Sequence, residues 1–236
     1  DKVNRGYQNL VNVLGADHTG YIKRITAVVS ALSEKKIKLN CKVCQLVKLF
    51  KNGEPYKMSK RAGDFISTQD FLREVDKDSI RFMMLNRSND VEIDFDFDKV
   101  KEKTKDNPVF YVQYAYARIN SLLRTLNTSF VKKIEFNEID FNLNKIEEKI
   151  IRKVFEWPKV IESASRKFDL HKIPFYLYEL STLFHAYWSK GNEDKKYKFI
   201  INEQINRKEI LAIINLVAIV IKNGMNILDV SLPEKM

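Results

Sequence analysis

The chain has 236 residues, 44% of them hydrophobic and 31% charged, a balance that fits one large or two ordinary globular domains and excludes a disordered chain. Seven Gly and five Pro are too few for a β-rich fold built on many tight turns, so helix should dominate. The net charge of +10 is spread evenly, with 21 Lys and Arg against 16 Asp and Glu in residues 1–107 and 20 against 15 in residues 108–236, so the whole chain suits a polyanionic partner, most simply nucleic acid.

The chain opens at Asp1 on a charged amphipathic segment that leads straight into a strand, which reads as a start in mid-domain. Val11 to Leu14, ending in Gly15, is a short apolar run expected to be a buried strand. Residues 20–35 carry Ile22, Ile25, Val28, Val29 and Leu32 at the 3/4 spacing of an amphipathic helix. Residues 37–50 read as one further strand, closed by a turn at Asn52-Gly53 and Pro55. Strand, helix, strand in that order implies part of a parallel α/β sheet, which presents ligands at the carboxyl ends of its strands. Thr68 should begin a helix backed by Phe71, Leu72, Val75, Ile80 and Phe82. Val91 to Asp98 alternates with period two and is expected to be a half-exposed extended segment. Its aspartates lack the central Gly and terminal Glu of an EF-hand loop. Cys41 and Cys44 fall short of the four ligands of a structural zinc site and read as two buried small apolar residues in a reducing cytoplasm. No protein-bound structural metal is expected.

From Asn107 the pattern is helical. Val109 to Leu126, Ile146 to Phe155, Tyr176 to Tyr187 and Ile210 to Ile221 are four apolar-periodic segments. Pro158 should break or kink the second, Pro174 should open the third, and Asn206-x-x-Glu209 resembles a capping box for the fourth, which should stop near Asn223-Gly224. Ile210 to Ile221, interrupted by Asn215, is too short to span a bilayer, so no membrane is expected as partner. The expected organisation is an α/β domain over residues 1–106 and a helical bundle over residues 107–236.

Lys57-Met58-Ser59-Lys60-Arg61-Ala62-Gly63-Asp64 carries three cations in five residues on a short polar loop ending in glycine. Two lysines bracketing a serine suit a mobile loop that stabilises charge developing on a leaving pyrophosphate. The alternative is a solvated basic turn. The run lacks the glycine spacing of a Walker A loop. In the helical part, Tyr111, Tyr114 and Arg118 follow 3/4 spacing and share one face, with Gln113 nearby. Aromatics beside a guanidinium suit splayed single-stranded bases, and the alternative is a face packed against the first domain. His185 and Tyr187 read as core or interface residues.

The run Lys57 to Asp64 resembles the KMSKS signature of class I aminoacyl-tRNA synthetases, and with the preceding Gly53-Glu54-Pro55-Tyr56 it forms one segment of a wider match. Four further segments, namely Val13-Leu14-Gly15-Ala16-Asp17-His18-Thr19-Gly20-Tyr21, Asp78-Ser79-Ile80-Arg81-Phe82, residues 107–119 from Asn107-Pro108 to Arg118-Ile119, and the end Leu232-Pro233-Glu234-Lys235-Met236, extend the resemblance over the whole chain to the carboxyl-terminal portion of bacterial arginyl-tRNA synthetases. The resemblance implies a Rossmann-type catalytic fold followed by a DALR-type helical anticodon-binding domain. It implies ATP-dependent attachment of arginine to its tRNA through arginyl-adenylate, with ATP and Mg2+ as substrate, in the cytoplasm. It places the HIGH-like motif and the arginine pocket in an N-terminal portion upstream of residue 1, so the chain by itself should be inactive. Lys57 and Lys60 would be catalytic. Gly15, Asp17, His18, Val43, Met58 and Ser59 would bind ATP, Asp17 having a ribose hydroxyl or the arginine amino groups as alternative partners. For Asp17 and His18 the bland alternative is a strand-end cap with a satisfied histidine. Tyr111, Gln113, Tyr114, Arg118 and Met236 would bind tRNA, Met236 only if the chain end folds back onto the bundle. Two readings compete with a piece of one enzyme: a non-catalytic tRNA-binding fragment, or the C-terminal subunit of a split synthetase. The cysteine enzyme of the same class is disfavoured because its zinc ligands are not evident.

Overall fold

A computed structural model describes residues 1–56, 67–126 and 142–236. The lysine-serine loop at 57–61 lies outside the described residues. Strand β1 (Asn9–Gly15) pairs in parallel with β2 (Lys38–Cys44), Gly15 opposite Cys44, and helix α1 (Ile22–Leu32) makes the crossover. The run Val11 to Leu14 is a strand, but not the buried one expected, because alternation turns only every second side chain inward. Leu10 and Leu14 are half-buried, whereas Val11 and Val13 face out. On α1, Ile22, Ile25 and Val29 turn inward, while Leu32 is 74% exposed.

The single strand expected over 37–50 is two strands in two sheets. After Cys44 the chain breaks, and β3 (Val47–Lys51) pairs with β4 (Glu54–Pro55) antiparallel and with β5 (Ile93–Asp96) parallel. Backbone partners from residues 89–93 hold the break: Gln45 N–H donates to the Asn89 carbonyl at 2.9 Å, and Ile93 N–H donates to the Leu46 carbonyl at 3.1 Å. The hairpin between β3 and β4 turns on Asn52 and Gly53, both at positive φ, as an Asn-Gly pair favours. In β5, Phe95 is buried and Asp94 exposed, as the alternation implied. Cys41 and Cys44 are not a buried pair: opposite faces leave Cys41 half-buried and Cys44 exposed. Among the described residues no group of three His, Cys, Asp or Glu is arranged to hold a metal.

The helix expected from Thr68 through Phe82 is likewise two. Helix α2 (Thr68–Glu74) starts on a capping box of Ser67 and Asp70, and α3 (Lys77–Leu85) starts afresh because Asp76 accepts from Ser79 N–H. Helices α4 (Pro108–Thr125), α5 (Lys145–Phe155), α6 (Trp157–Lys167), α7 (Lys172–Glu193) and α8 (Lys208–Leu228) follow, with a two-residue hairpin β6 (Ile200–Ile201) and β7 (Gln204–Ile205) before the last. Pro158 lies in the first turn of α6, where its missing N–H costs nothing, so the proline both ends α5 and opens a helix that the periodicity had not separated. Pro174 sits two residues inside α7 rather than at its start.

Two expectations about α8 fail. Asn206 does not cap it: its amide donates to the Lys198 carbonyl at 2.8 Å, and Arg207 occupies the cap position without a side-chain cap bond. Nor does the helix stop at Gly224. It runs to Leu228 because Gly224 lies against buried Leu177, and Asp229 ends it in the left-handed region at φ 54°. The length argument from Ile210 to Ile221 does not hold for the whole helix: at 21 residues α8 is long and apolar enough to cross a membrane, but its apolar side chains Ile210, Ile214, Val217, Ile221 and Met225 fill the bundle core.

The chain forms two compact units, one of residues 1–56 and 87–96, the other of residues 67–86, 97–126 and 142–236 among those described. This partition differs from a cut at 106/107, since α2, α3 and residues 97–106 belong with the helices. Phe82, fully buried, joins the helical core, and Phe71 meets Phe97 edge-on at 5.2 Å. In that unit α7 packs against α4, α5, α6 and α8.

Candidate functional sites

In the first unit, parallel pairing puts the carboxyl ends of β1 and β2 side by side, with Leu14 opposite Val43 and Gly15 opposite Cys44. The 3-10 turn Ala16–Tyr21 leaves β1 at that edge, so Gly15, Asp17, His18 and Val43 come together. A Cβ added to Gly15 would meet no protein atom within 4 Å, and its φ of −70° suits any residue. Neither packing nor backbone conformation requires glycine there. Asp17 and His18 are exposed, and neither makes a side-chain hydrogen bond among the described residues. The strand-end cap therefore does not account for them. His18 has one ring neighbour, Tyr21 at 5.9 Å. The Val43 carbonyl already accepts from the Asn89 amide at 2.7 Å. Lys57, Met58, Ser59 and Lys60 lie outside the described residues.

In the helical unit, Tyr111, Tyr114 and Arg118 share one face of α4, and that face meets α7 of the same bundle. The guanidinium of Arg118 lies over the Tyr114 ring at 4.3 Å and over the Trp188 ring at 4.8 Å. It donates to the Tyr114 hydroxyl at 2.5 Å and contacts His185 Nδ1 at 3.2 Å. His185 Nε2 lies 3.1 Å from the Tyr111 carbonyl oxygen. Guanidinium only donates and a carbonyl only accepts, so the imidazole is neutral with its proton on Nε2. Burial pushes the His185 pKa down to about 4, helped by the charge of Arg118 and opposed by the bond to Tyr111. Rings pack around the group: Tyr111 lies 5.4 Å from Tyr178 and 4.3 Å from His185, and Phe110 stacks on Tyr114 at 5.7 Å. Burial also raises the Tyr111 phenol above its ordinary value, with Tyr178 adding to the shift.

Arg118 is half-buried, and among the described residues no carboxylate pairs with it. Among the described residues two of its five N–H donors are engaged. A cation lying over two rings, with no counter-charge among the described residues, is suited to a phosphate or to the acceptor edge of a base.

Gln113 and Met236 belong to a different face. Gln113 lies about 140° round α4 from Arg118. Its amide donates to the Ser231 carbonyl at 3.0 Å, and Arg124 donates to the Glu234 carbonyl at 3.1 Å. The chain end thus folds back along three turns of α4, leaving Met236 56% exposed. The Asp78-to-Phe82 segment and the preceding Lys77 anchor this tail: Arg81 donates to the Leu228 carbonyl, Lys77 pairs with Asp229 at 2.9 Å, and the Ser231 hydroxyl donates to Asp78. Cations at the end of α8 complement its dipole, and the Lys77 hydrogen bond holds the Asp229 carboxyl below its ordinary value.

Sequence reasoning had not assigned Tyr178 or Trp188 to this face, and it had taken His185 only as core or interface. His185 and Tyr187 are indeed buried. The available signal was the spacing of Tyr178, His185 and Trp188, seven and three residues apart, which places them on one face of α7.

Residues 112–236 match the family model of the DALR anticodon binding domain. The chain is 53% identical over 236 residues to an arginine–tRNA ligase of Pelagibacter ubique, covering all of this chain and 41% of that protein, and 46% identical over 241 residues to one of Ruegeria pomeroyi, covering 100% and 42%. The chain therefore spans about two fifths of the length of these curated relatives. A crystal structure from Campylobacter jejuni described as an arginyl-tRNA synthetase superposes with a TM-score of 0.85 at 31% identity, over 100% of this chain and 50% of the other. The Thermus thermophilus arginyl-tRNA synthetase shares the fold with a TM-score of 0.69 at 18% identity, over 97% and 41%.

Proposed function

The chain belongs to the DALR anticodon binding domain family, and from that premise we propose that it is the tRNA-reading carboxyl-terminal part of an arginine–tRNA ligase. The observation that carries the reading is the half-buried Arg118, lying over both the Tyr114 and Trp188 rings with no carboxylate partner among the described residues, inside the matched region. Tyr111, Tyr114 and Arg118 bind the anticodon loop of the arginine tRNA, and Gln113 and the tail ending at Met236 form a second contact. Because the rings of this face already stack on one another, hydrogen bonds from Arg118 carry more of the contact than open ring faces do.

With a boundary at 106/107, residues 1–106 are the end of a Rossmann-type catalytic domain and residues 107–236 the anticodon-binding domain, and α2, α3 and residues 97–106 are the part of the first that packs within the helical unit. The parallel β1–α1–β2 unit supports this, since ligands of such sheets bind at the carboxyl edge. Gly15, Asp17 and His18 line that edge with free side chains or free space, which suits ATP. The exposed Val13 and Leu32, at 66% and 74%, support completion of the unit by the N-terminal portion of the enzyme, because parallel sheets are covered on both faces. In the whole enzyme the arginine carboxylate attacks the α-phosphorus of Mg2+-bound ATP. Lys57 and Lys60, with Met58 and Ser59 on their loop, stabilise the leaving pyrophosphate, and the tRNA then displaces AMP from arginyl-adenylate. The protein works in the cytoplasm, where translation takes place.

The test is binding of the chain to arginine tRNA with native and altered anticodons at two salt concentrations. Tyr114→Ala removes a ring and a hydroxyl that hold Arg118 and should weaken native binding roughly tenfold, the size of one charged hydrogen bond. Unchanged affinity, or equal affinity for both anticodons, would leave only salt-dependent phosphate attraction and sink the reading.

A further inference from the structure

We propose that His185 is a positioning residue that fixes the guanidinium of Arg118 for RNA; the inference rests on the tRNA-binding reading above. His185 is 5% exposed, and both ring nitrogens are committed, Nδ1 to Arg118 at 3.2 Å and Nε2 to the Tyr111 carbonyl at 3.1 Å. Arginine has several rotatable bonds, and freezing them costs entropy at each binding event unless the protein has already done so. The two rings confine Arg118 in one direction, while His185 and the Tyr114 hydroxyl set its rotation within the plane.

A neutral imidazole is suited to this in a way that a carboxylate is not. A carboxylate in its place would hold the guanidinium more strongly but cancel the charge that an anionic ligand needs. His185 gives direction without neutralisation. Tyr114 alone does not suffice, because its hydroxyl rotates to follow the group it bonds, whereas the imidazole is anchored at its far nitrogen to the α4 backbone.

The experiment measures dissociation constants of the full chain for an arginine tRNA transcript with native or altered anticodon, in wild type, His185→Phe, His185→Gln, Arg118→Ala and His185→Phe with Arg118→Ala. Phe keeps the ring packing against Tyr111, Tyr114 and Phe184 but has no acceptor. Gln offers an oxygen to Arg118 and an N–H to the Tyr111 carbonyl. The expected result is that His185→Phe weakens native binding about tenfold, the size of one charged hydrogen bond. The loss should vanish in the Arg118→Ala background, and Gln should recover most of it. Two outcomes overturn the proposal: a folded His185→Phe that binds like wild type while Arg118→Ala does not, or an equal loss with and without Arg118, which would be a packing effect. If Arg118→Ala itself leaves binding unchanged, the RNA-facing reading falls and takes the proposal with it. Should His185→Phe fail to fold, His185→Leu carries the same comparison.

Discussion

Replacing Glu147 by alanine should be among the most damaging single changes in the helical unit. Glu147 is fully buried, and its two carboxylate oxygens serve three donors. One oxygen accepts from the Tyr187 hydroxyl at 2.5 Å and from Arg207, and the other accepts from Asn144 N–H at 2.8 Å, closing a capping box at the start of α5. The substitution leaves a buried hydroxyl, a helix-entry N–H and a guanidinium without their acceptor. Removing one partner of a buried ion pair costs about 3–5 kcal/mol. The Arg207 side chain is 31% exposed and can turn partly to water, which favours the lower end of that range. The lost cap adds about 1 kcal/mol that is not independent of the pair. A loss near 3–4 kcal/mol is a large share of the roughly 5–15 kcal/mol available to a domain. Glu147→Gln should cost less, about 1–3 kcal/mol. Its single amide oxygen can replace either carboxylate oxygen, and the NH2 then faces a donor in either flip. Urea denaturation of the chain, read by helical circular dichroism, measures both. If Glu147→Ala stays within about 1 kcal/mol of wild type, or Glu147→Gln matches it, the buried network contributes far less than its geometry implies.

Three further outcomes are expected. Gly224→Ala gains about 1 kcal/mol of helix propensity but puts its Cβ 2.7 Å from Cδ2 and 2.8 Å from Cδ1 of the buried Leu177, and overpacking of about 1–3 kcal/mol wins. The melting temperature should fall in wild type and rise when Leu177 is already alanine. Because the His185 pKa falls from 6.5 to about 4 on folding, the unfolded chain binds the extra proton first, so stability is complete above pH 6.5 and declines as pH drops towards 4. The decline, about 2–4 kcal/mol from this group, should be absent in the pH profile of His185→Phe. In the complete enzyme, Lys60→Ala should slow adenylate formation by about 2–4 kcal/mol of barrier with little change in ATP affinity, and single-turnover rates within about twofold of wild type would remove Lys60 from the reaction.

Periodicity made the β1–α1–β2 unit and the helical half legible, because those segments turn one apolar face inward and the face has a period. What stayed hidden depends on partners distant in sequence. Residues 37–50 contain no Gly or Pro, yet the strand breaks at Gln45 because Asn89 and Ile93 supply its hydrogen bonds. Gly224 looks like a stop, yet Leu177 uses its bare backbone for close packing. For the candidate RNA face, α4 could be read from its own spacing, but the clamp is completed by Trp188 and His185, seventy and sixty-seven residues away from Arg118, and no local pattern announces that pairing.

The chain contains the pattern Asn-x-x-Glu at both 144–147 and 206–209, and only the first is a capping box. Local propensity is the same in both, so tertiary structure decides. Arg207, next to Asn206, turns its guanidinium to Glu147 and to the Asn142 carbonyl at 3.2 Å, while the Asn206 amide is drawn to the carbonyl of Lys198. The first cap is completed by a residue at the position where the second would have formed. Helix α7 ties this arrangement to the candidate RNA face. Tyr187 points to Glu147, and His185, two residues earlier and so about 160° round the helix, points to Arg118. Loosening the Glu147 network removes a contact that holds the opposite side of α7 in place, so Glu147→Ala should weaken tRNA binding as well as stability, and binding of the arginine tRNA by the folded variant, unchanged from wild type, would refute this coupling.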